Sequence, residues 1–183
     1  ITKSMYMRNT ASHDFGNLIM GIQDCYELLG WFNEIPNHLS DAWSFWYKDE
    51  APLVTYTYFP LWKLEQFYKR YGMYDNALSV SNHIESFIKS KGGENHSELA
   101  EALYMKGNIF VEMNRPEDGI KSFQKAMEIL NANGLDNSEL FEMIAGNLFM
   151  ALISSERFEE GDDVLKCIQN YSISNNTPSY KNA

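Results

Sequence analysis

Apolar residues recur at helical spacing through the last two thirds of the chain, in an arrangement that appears three times. In each copy a polar, acidic turn leads into a small residue, Ala77, Gly119 or Gly161, each 42 positions after the one before. The segment that follows carries apolar side chains three or four positions apart, which places them on one face of a helix. A constant interval of this length is typical of stacked helical hairpins, because one hairpin cannot bury its apolar face alone.

A first helix is predicted to precede each of these second helices. Pro60 suits the first helical turn, where its missing N–H costs little, and Ser97 and Ser138 are predicted to cap the next two first helices. Gly72 and Gly93 are predicted to end helices, since glycine adopts the left-handed conformation without a Cβ clash. The pattern therefore predicts three antiparallel helix pairs.

The middle hairpin resembles the tetratricopeptide repeat. The residues that carry the resemblance are Leu103, Gly107, Phe110, Gly119, Phe123 and Ala126. The 42-residue interval resembles the longer variety found in kinesin light chains and in bacterial sensor and regulator proteins. The outer hairpins depart from the pattern: Glu65 stands where a small residue is expected, and Gly146-Asn147 echoes Gly107-Asn108 but lies 15 rather than 12 residues before its partner glycine.

The amino-terminal third is predicted to form a helical cap on this stack. One helix is predicted from Ser12 to Gly30 and a shorter one from Asp41 to about Lys48. An aromatic cluster is predicted to cover the open end of the stack. Its members are Trp31, Phe32, Trp43, Phe45, Trp46 and Tyr47. Residues 51–59 alternate as a short strand would, but a helix start or an extended linker fits the helical context better.

These patterns together predict an all-α chain, and the resemblance implies a right-handed solenoid of tetratricopeptide-like (TPR-like) hairpins. The predicted organisation is an amino-terminal helical cap over residues 1–51, three hairpins over 52–171 and a frayed polar tail over 172–183.

Charge and composition narrow the class of partner. The chain of 183 residues has 15 basic and 25 acidic residues, a formal net charge of −10, and no basic cluster beyond Lys69-Arg70. Nucleic acids and anionic membranes require concentrated positive charge, so we expect protein or peptide partners, and no apolar stretch is long enough to insert into a membrane.

Compartment is left open by the sequence. Cys25 and Cys167 lie within apolar helical patterns, which predicts two buried free thiols rather than a disulfide. The first residue is Ile1 rather than Met. We therefore expect a fragment of a longer protein, with the cytoplasm favoured but not fixed.

The sequence shows no catalytic machinery. His13, His38, His83 and His96 lack the spacing of a zinc site, and no Gly-rich phosphate loop or nucleophile turn is present. Acidic pairs such as Glu117-Asp118, Glu159-Glu160 and Asp162-Asp163 fit the first turns of helices, where carboxylates stabilise the helix dipole. The sequence thus predicts a protein that is not an enzyme and has no metal or cofactor.

One local motif suggests a different class of function. Residues 13–29 resemble the phosphoacceptor helix of sensor histidine kinases, with His13 followed by the acidic Asp14. The resemblance implies a phosphotransfer or response-regulator-docking role for His13, in which the imidazole would be the nucleophile. A kinase would also need an ATP-binding domain, so a helix-start histidine without a phosphoryl role stays open beside this alternative.

The TPR resemblance also points to a binding surface. In such arrays the first helices line a concave face, and the Asn after the small Gly holds the backbone of a bound peptide, which implies this role for Asn108 and Asn147. Tyr104 and Glu112 lie one helical turn to either side of Asn108. An Asn that bonds only within the array is an equally open interpretation.

The resulting hypothesis is a peptide-binding scaffold or the sensory module of a larger regulator. Phosphotransfer through His13 is the first alternative. A self-associating homo-oligomeric array is the second, because the last hairpin ends near Tyr171 without an obvious polar capping helix.

Overall fold

The computed structural model describes residue 21 and residues 25–46, 55–136 and 138–176. Within those ranges the chain is helical or turn, with no strand. Residues 25–28 are helical, and the longer helices of these ranges are α1 Ile35–Trp46, α2 Thr55–Arg70, α3 Tyr74–Gly92, α4 Glu98–Glu112, α5 Pro116–Ala132, α6 Glu139–Ser154 and α7 Phe158–Asn176. His13, most of the predicted first helix and the end of the polar tail lie outside the described residues.

The chain divides into two compact units, Ile1–Lys91 and Gly92–Ala183. In the first unit, α1 packs against α2, and α1 contributes the fully buried Ile35 and Leu39. Helices α2 and α3 form the first hairpin, in which the rings of Tyr58 and Phe87 lie 6.5 Å apart between centroids.

The second unit contains the second and third hairpins, in which each helix packs against the next one along the chain. Its core is built from side chains spaced three or four residues apart on each helix. The largest of its fully buried side chains are Leu99, Ile109, Ile120, Phe123, Ile129, Leu130, Ile144 and Leu152.

The 42-residue interval is visible in the backbone. The second helices α3, α5 and α7 begin 42 residues apart, at Tyr74, Pro116 and Phe158. Two residues before each start the backbone is left-handed, at Gly72, Asn114 and Glu156. The N–H of the following residue donates to the carbonyl five residues earlier: Arg115 to Phe110 at 2.8 Å and Arg157 to Leu152 at 2.9 Å. The same Schellman-type helix ending therefore closes the first helix of all three hairpins.

Small residues let the paired helices approach closely. A Cβ built on Gly119 would lie 2.8 Å from Cγ2 of Val111, and one built on Gly161 would lie 3.0 Å from Cδ1 of Ile153. Both pairs occupy the same positions of the 42-residue repeat. Gly119 and Gly161 are thus the points of close contact in the second and third hairpins.

Several predicted helix boundaries are wrong. Ser97 makes no capping bond; instead the Glu98 N–H donates to Nδ1 of His96 at 3.3 Å. Pro60 lies inside α2, which begins at Thr55, and α1 begins at Ile35 rather than Asp41. Ser138 does cap its helix, accepting a bond from the Phe141 N–H at 3.2 Å. Local signals locate these helix ends only to within about two turns. At α4 a neighbouring acceptor, the His96 imidazole, takes the place of the predicted cap.

Burial predictions also fail at the edges of the units. Cys25 and Cys167 are free thiols as expected, but both are exposed. Trp31 is 56% exposed and Phe32 is 40% exposed, so these two rings do not form a buried cap. Phe32 instead rests edge-on against Tyr71, with centroids 5.4 Å apart. These four residues belong to helical or turn segments that carry more apolar side chains than the neighbouring elements cover. The side chains of the other predicted cap aromatics lie outside the described residues.

Acidic residues mostly take the predicted places. Glu117 and Asp118 lie in the first turn of α5, and Glu159 and Glu160 in the first turn of α7. Asp162 and Asp163 lie one turn later, since α7 begins at Phe158. Asp163 accepts a bond from Lys166 at 2.7 Å.

Candidate functional site

Three of the four predicted groove residues meet in one hydrogen-bonded group. The side-chain amide of Asn147 on α6 donates to Oδ1 of Asn108 at 2.8 Å. The same Nδ2 donates to the hydroxyl oxygen of Tyr104 at 3.2 Å. Tyr104 and Asn108 are one helical turn apart on α4, so the Asn147 side chain bridges that turn from the neighbouring first helix. We call Tyr104, Asn108 and Asn147 the amide cluster.

The packing of α5 against α4 holds the cluster in place. Phe123 is fully buried, and its ring lies where a Cβ on Gly107 would be, with Cδ1 and Cζ at 2.7 and 2.9 Å from that position. The Phe123 ring is also 6.1 Å, between centroids, from the ring of Tyr104. A glycine at position 107 therefore admits the phenylalanine that supports Tyr104.

The two asparagines are not equivalent positions of the repeat. The residue 42 positions after Asn108 is Met150, and the residue 42 before Asn147 is Met105. A Cβ built on Gly146 would meet nothing within 4 Å, so Gly146 does not repeat the packing of Gly107. The apparent echo of Gly107-Asn108 in Gly146-Asn147 is therefore out of register. The three-residue offset lets Asn147 reach Tyr104 and Asn108 together.

The cluster retains hydrogen-bonding capacity. Asn147 uses its amide hydrogens on Tyr104 and Asn108. Its own carbonyl oxygen, the Asn108 amide N–H groups and the Tyr104 hydroxyl hydrogen make no hydrogen bond to other described residues. All three side chains are partly exposed. They therefore offer both donors and acceptors at the surface, the pair that a peptide bond requires.

Glu112, the fourth predicted residue, lies outside this hydrogen-bonded set. It is exposed at the end of α4, one turn beyond Asn108. Its position on the same face as Asn108 follows from the spacing of four residues. The structure thus places Glu112 beside the cluster rather than in it.

The same face carries a partly buried carboxyl that the sequence did not single out. Burial raises the pKa of Glu101, and repulsion from Glu98 raises it further. In the described part of the chain no basic side chain pairs with Glu101. A desolvated carboxylate without a cation is unfavourable, and a positively charged group brought to it would be stabilised.

Two exposed methionines flank the cluster on α6. Met143 is 47% exposed and Met150 is 64% exposed. They stand four residues before and three after Asn147, so the three side chains share one face of the helix. Sequence reasoning missed them, although a methionine on each side of a polar groove residue at helical spacing was a usable signal.

The first unit has a related first-helix face of its own. The Lys63 ammonium lies over the rings of Trp62 and Phe59, at 4.9 and 5.4 Å from their centroids. Trp62 occupies the position in α2 that Tyr104 occupies in α4, 42 residues later. An aromatic residue thus recurs at this position, and in the first unit the Lys63 ammonium makes a cation–π contact with it.

Two further findings concern only the described residues. Among them, no group of three or more His, Cys, Asp or Glu side chains could hold a metal ion. None of the helices within the described ranges is both long and apolar enough to cross a membrane.

The helical hairpins, the 42-residue register and the first-helix face define the fold of a TPR-like helical repeat protein, which confirms the sequence prediction. The chain is similar to BtubC (BKLC) from P. vanneervenii, with a TM-score of 0.72 and 17% identity over 96% of this chain and 71% of that one. It is also similar to a kinesin light chain-type protein from Podosopora anserina that has nearly identical TPR-like repeats. The TM-score there is 0.64, with 10% identity over 96% of this chain and 93% of that one. No protein-family model and no curated protein matches the sequence.

Proposed function

We propose that the chain is a protein-interaction module that holds an extended peptide segment of its partner on the first helices of its second unit. The TPR-like fold supports protein binding in general. The amide cluster supports the specific site, because it combines unused donors and acceptors on one partly exposed face. That combination is the observation on which the proposal rests.

The ligand class follows from the chemistry of the cluster. A side-chain amide can donate to a peptide carbonyl and accept from a peptide N–H at the same time. Main-chain bonds of this kind hold a segment without demanding one sequence, and neighbouring side chains then supply selectivity. A terminal carboxylate is a poor candidate, since Lys106, the lone basic residue of α4 and α6, lies two residues from both Tyr104 and Asn108 and points to another side of α4.

One wall of the site is tightly packed. Phe123 is fully buried against Gly107 and its ring lies beside that of Tyr104, which restricts the Tyr104 side chain before a ligand arrives. A preorganised surface loses less conformational entropy on binding than a mobile one. The restricted Tyr104 ring supports a role in ligand binding over one in which the polar residues serve only to pack the repeats.

Selection from a displayed peptide library on the whole chain tests the proposal. We expect enriched peptides whose binding, measured by fluorescence anisotropy, falls at least about tenfold in an Asn108→Ala/Asn147→Ala variant. The matched control is Gln124→Ala/Asn131→Ala, which removes two amides from α5, outside the amide cluster. Circular dichroism of each variant shows whether the helices remain. Equal binding by parent and cluster variant, with both folded, would refute the assignment.

A further inference from the structure

The charge on the two first helices of the second unit is strongly one-sided. Helices α4 and α6 carry glutamates and a lone lysine, Lys106, which lies on another side of α4. The glutamates are Glu98, Glu101, Glu112, Glu139 and Glu142. Of these, Glu101 and Glu112 lie on the same side of α4 as Asn108, seven residues before it and four after it.

The two sides of this face differ in chemistry. The α4 side is acidic at Glu101 and Glu112, and the α6 side is apolar at the exposed Met143 and Met150. The amide cluster joins the two helices between them. We call the surface formed by these four residues and the amide cluster the α4–α6 face.

Burial makes the acidic side receptive to a cation. Glu101 is partly buried, is repelled by Glu98 and pairs with no basic side chain in the described ranges. A ligand cation would offset both the desolvation penalty of the Glu101 carboxylate and its repulsion from Glu98. Exposed methionines, for their part, are adaptable apolar contacts that suit side chains of varied shape.

From these observations we propose that the partner segment is an extended basic peptide in which Lys or Arg alternates with apolar residues. This inference rests on the proposed function and adds the chemical class of the ligand. Successive side chains of an extended peptide point to opposite faces of the peptide, and its backbone N–H and C=O groups lie along its edges. With the cluster bonded to one edge of the backbone, one face meets the glutamates of α4 and the other meets the methionines of α6.

The length of the face sets the length of the segment. Eleven residues separate Glu101 from Glu112, which at about 1.5 Å of rise per residue is roughly 16 Å. An extended peptide advances about 3.3 Å per residue, so about five or six residues span the distance. The face therefore fits a hexapeptide with basic residues at every second position.

Three labelled hexapeptides test the charge directly. One alternates Leu with Lys, the second replaces Lys by Glu, and the third replaces Lys by Gln. By fluorescence anisotropy at low salt we expect the Lys peptide to bind, the Gln peptide to bind more weakly, and the Glu peptide to bind at least about tenfold more weakly than the Lys peptide. Binding of the Lys peptide is expected to weaken as salt is raised, because screening acts on exposed charges.

Variants locate the charge on the protein. Glu101→Gln/Glu112→Gln is expected to weaken the Lys peptide about fivefold. Glu128→Gln/Glu159→Gln changes the net charge equally but lies on α5 and α7, and is expected to alter binding less than about twofold. Met143→Ser/Met150→Ser is expected to weaken the Lys and Gln peptides alike, since it removes apolar contact and no charge.

The outcomes separate this inference from the proposed function. Suppose the Lys and Gln peptides bind the parent equally well, bind Glu101→Gln/Glu112→Gln as tightly as the parent, and fail to bind Asn108→Ala/Asn147→Ala. The charge assignment is then overturned and the peptide-binding site stands. If none of the hexapeptides binds, the inference is overturned, and the library selection alone decides the proposed function. Equal effects of the two glutamine double variants would also overturn it, because net charge rather than the α4–α6 face would then control binding.

Discussion

Replacing glycine by alanine should change the stability of the fold in opposite directions in the two Gly-Asn pairs, Gly107-Asn108 on α4 and Gly146-Asn147 on α6. In α4, a Cβ at position 107 would crowd the ring of the fully buried Phe123, with Cδ1 and Cζ at 2.7 and 2.9 Å. In α6, a Cβ at position 146 meets nothing within 4 Å. We therefore expect Gly107→Ala to destabilise the fold and Gly146→Ala to stabilise it.

The magnitudes follow from two opposing effects. Overpacking a filled core costs about 1–3 kcal/mol, and the upper end applies because the Phe123 ring has no open side into which to move. Alanine is favoured over glycine within a helix by about 1 kcal/mol. The free energy of unfolding should thus fall by about 2 kcal/mol in Gly107→Ala and rise by up to about 1 kcal/mol in Gly146→Ala.

Thermal and urea unfolding, followed by circular dichroism, measure both changes. For a chain of this size about 1 kcal/mol corresponds to roughly 2–4 °C in Tm, so the two variants should differ by about 6–12 °C. A Gly107→Ala/Phe123→Leu double variant tests the cause. Its loss should be smaller than the sum of the two single losses, because the smaller side chain leaves room for the new methyl group.

The reasoning fails if the two glycine variants shift Tm in the same direction by similar amounts. It also fails if the effects of Gly107→Ala and Phe123→Leu simply add, since the proposed clash would then not exist. Gly107→Ala should in addition weaken peptide binding, because Phe123 supports the Tyr104 ring of the amide cluster.

Three further predictions concern other parts of the molecule. Glu156 has a left-handed backbone with φ of 60°, so Glu156→Gly should raise the free energy of unfolding by about 1 kcal/mol, whereas Asn114→Gly, at φ of 58°, should change it less because Asn tolerates this conformation. Glu101→Gln should stabilise the fold at neutral pH: the pKa of Glu101 is raised in the folded chain, so its ionisation opposes folding, and the advantage of the variant should disappear as pH falls below about 4.5. Cys25 and Cys167 are exposed free thiols, so both should react with a thiol reagent in the folded protein at rates close to those of the unfolded chain.

Each of these has a clear contrary result. Equal stabilisation by Glu156→Gly and Asn114→Gly in urea titrations would show that the residue type does not matter at this turn. A constant stability difference between Glu101→Gln and the parent from acid to neutral pH would contradict the raised pKa. Thiols that react only on addition of denaturant would contradict their exposure.

Much of the fold was readable from the sequence because its signals are local. The interval between Ala77, Gly119 and Gly161 predicts three hairpins, and the described helices keep that interval at their starts. Helix ends were predicted less well. His96 rather than Ser97 supplies the acceptor at the start of α4, because an acceptor one residue away can take over a terminal role. Pro60 lies inside α2, which begins five residues before it.

The candidate site was predicted in its residues but not in its arrangement. The sequence pairs Asn108 and Asn147 as equivalent residues that follow a glycine. They form a hydrogen bond because Asn147 lies three positions before the true repeat of Asn108. Met143, Met150 and Glu101 were missed, since solvent exposure and desolvation depend on what neighbouring helices cover.

The sequence by itself determined that the chain forms helical hairpins with a 42-residue interval and that helices end at Gly72 and Gly93, because helical periodicity and glycine conformation act within a few residues. Only the tertiary structure decided that Gly107 receives Phe123 while Gly146 receives nothing. It also decided that Asn147 bridges Tyr104 and Asn108. Those outcomes depend on the stagger between packed helices, which is set by the fit of all their side chains together rather than by spacing along one helix.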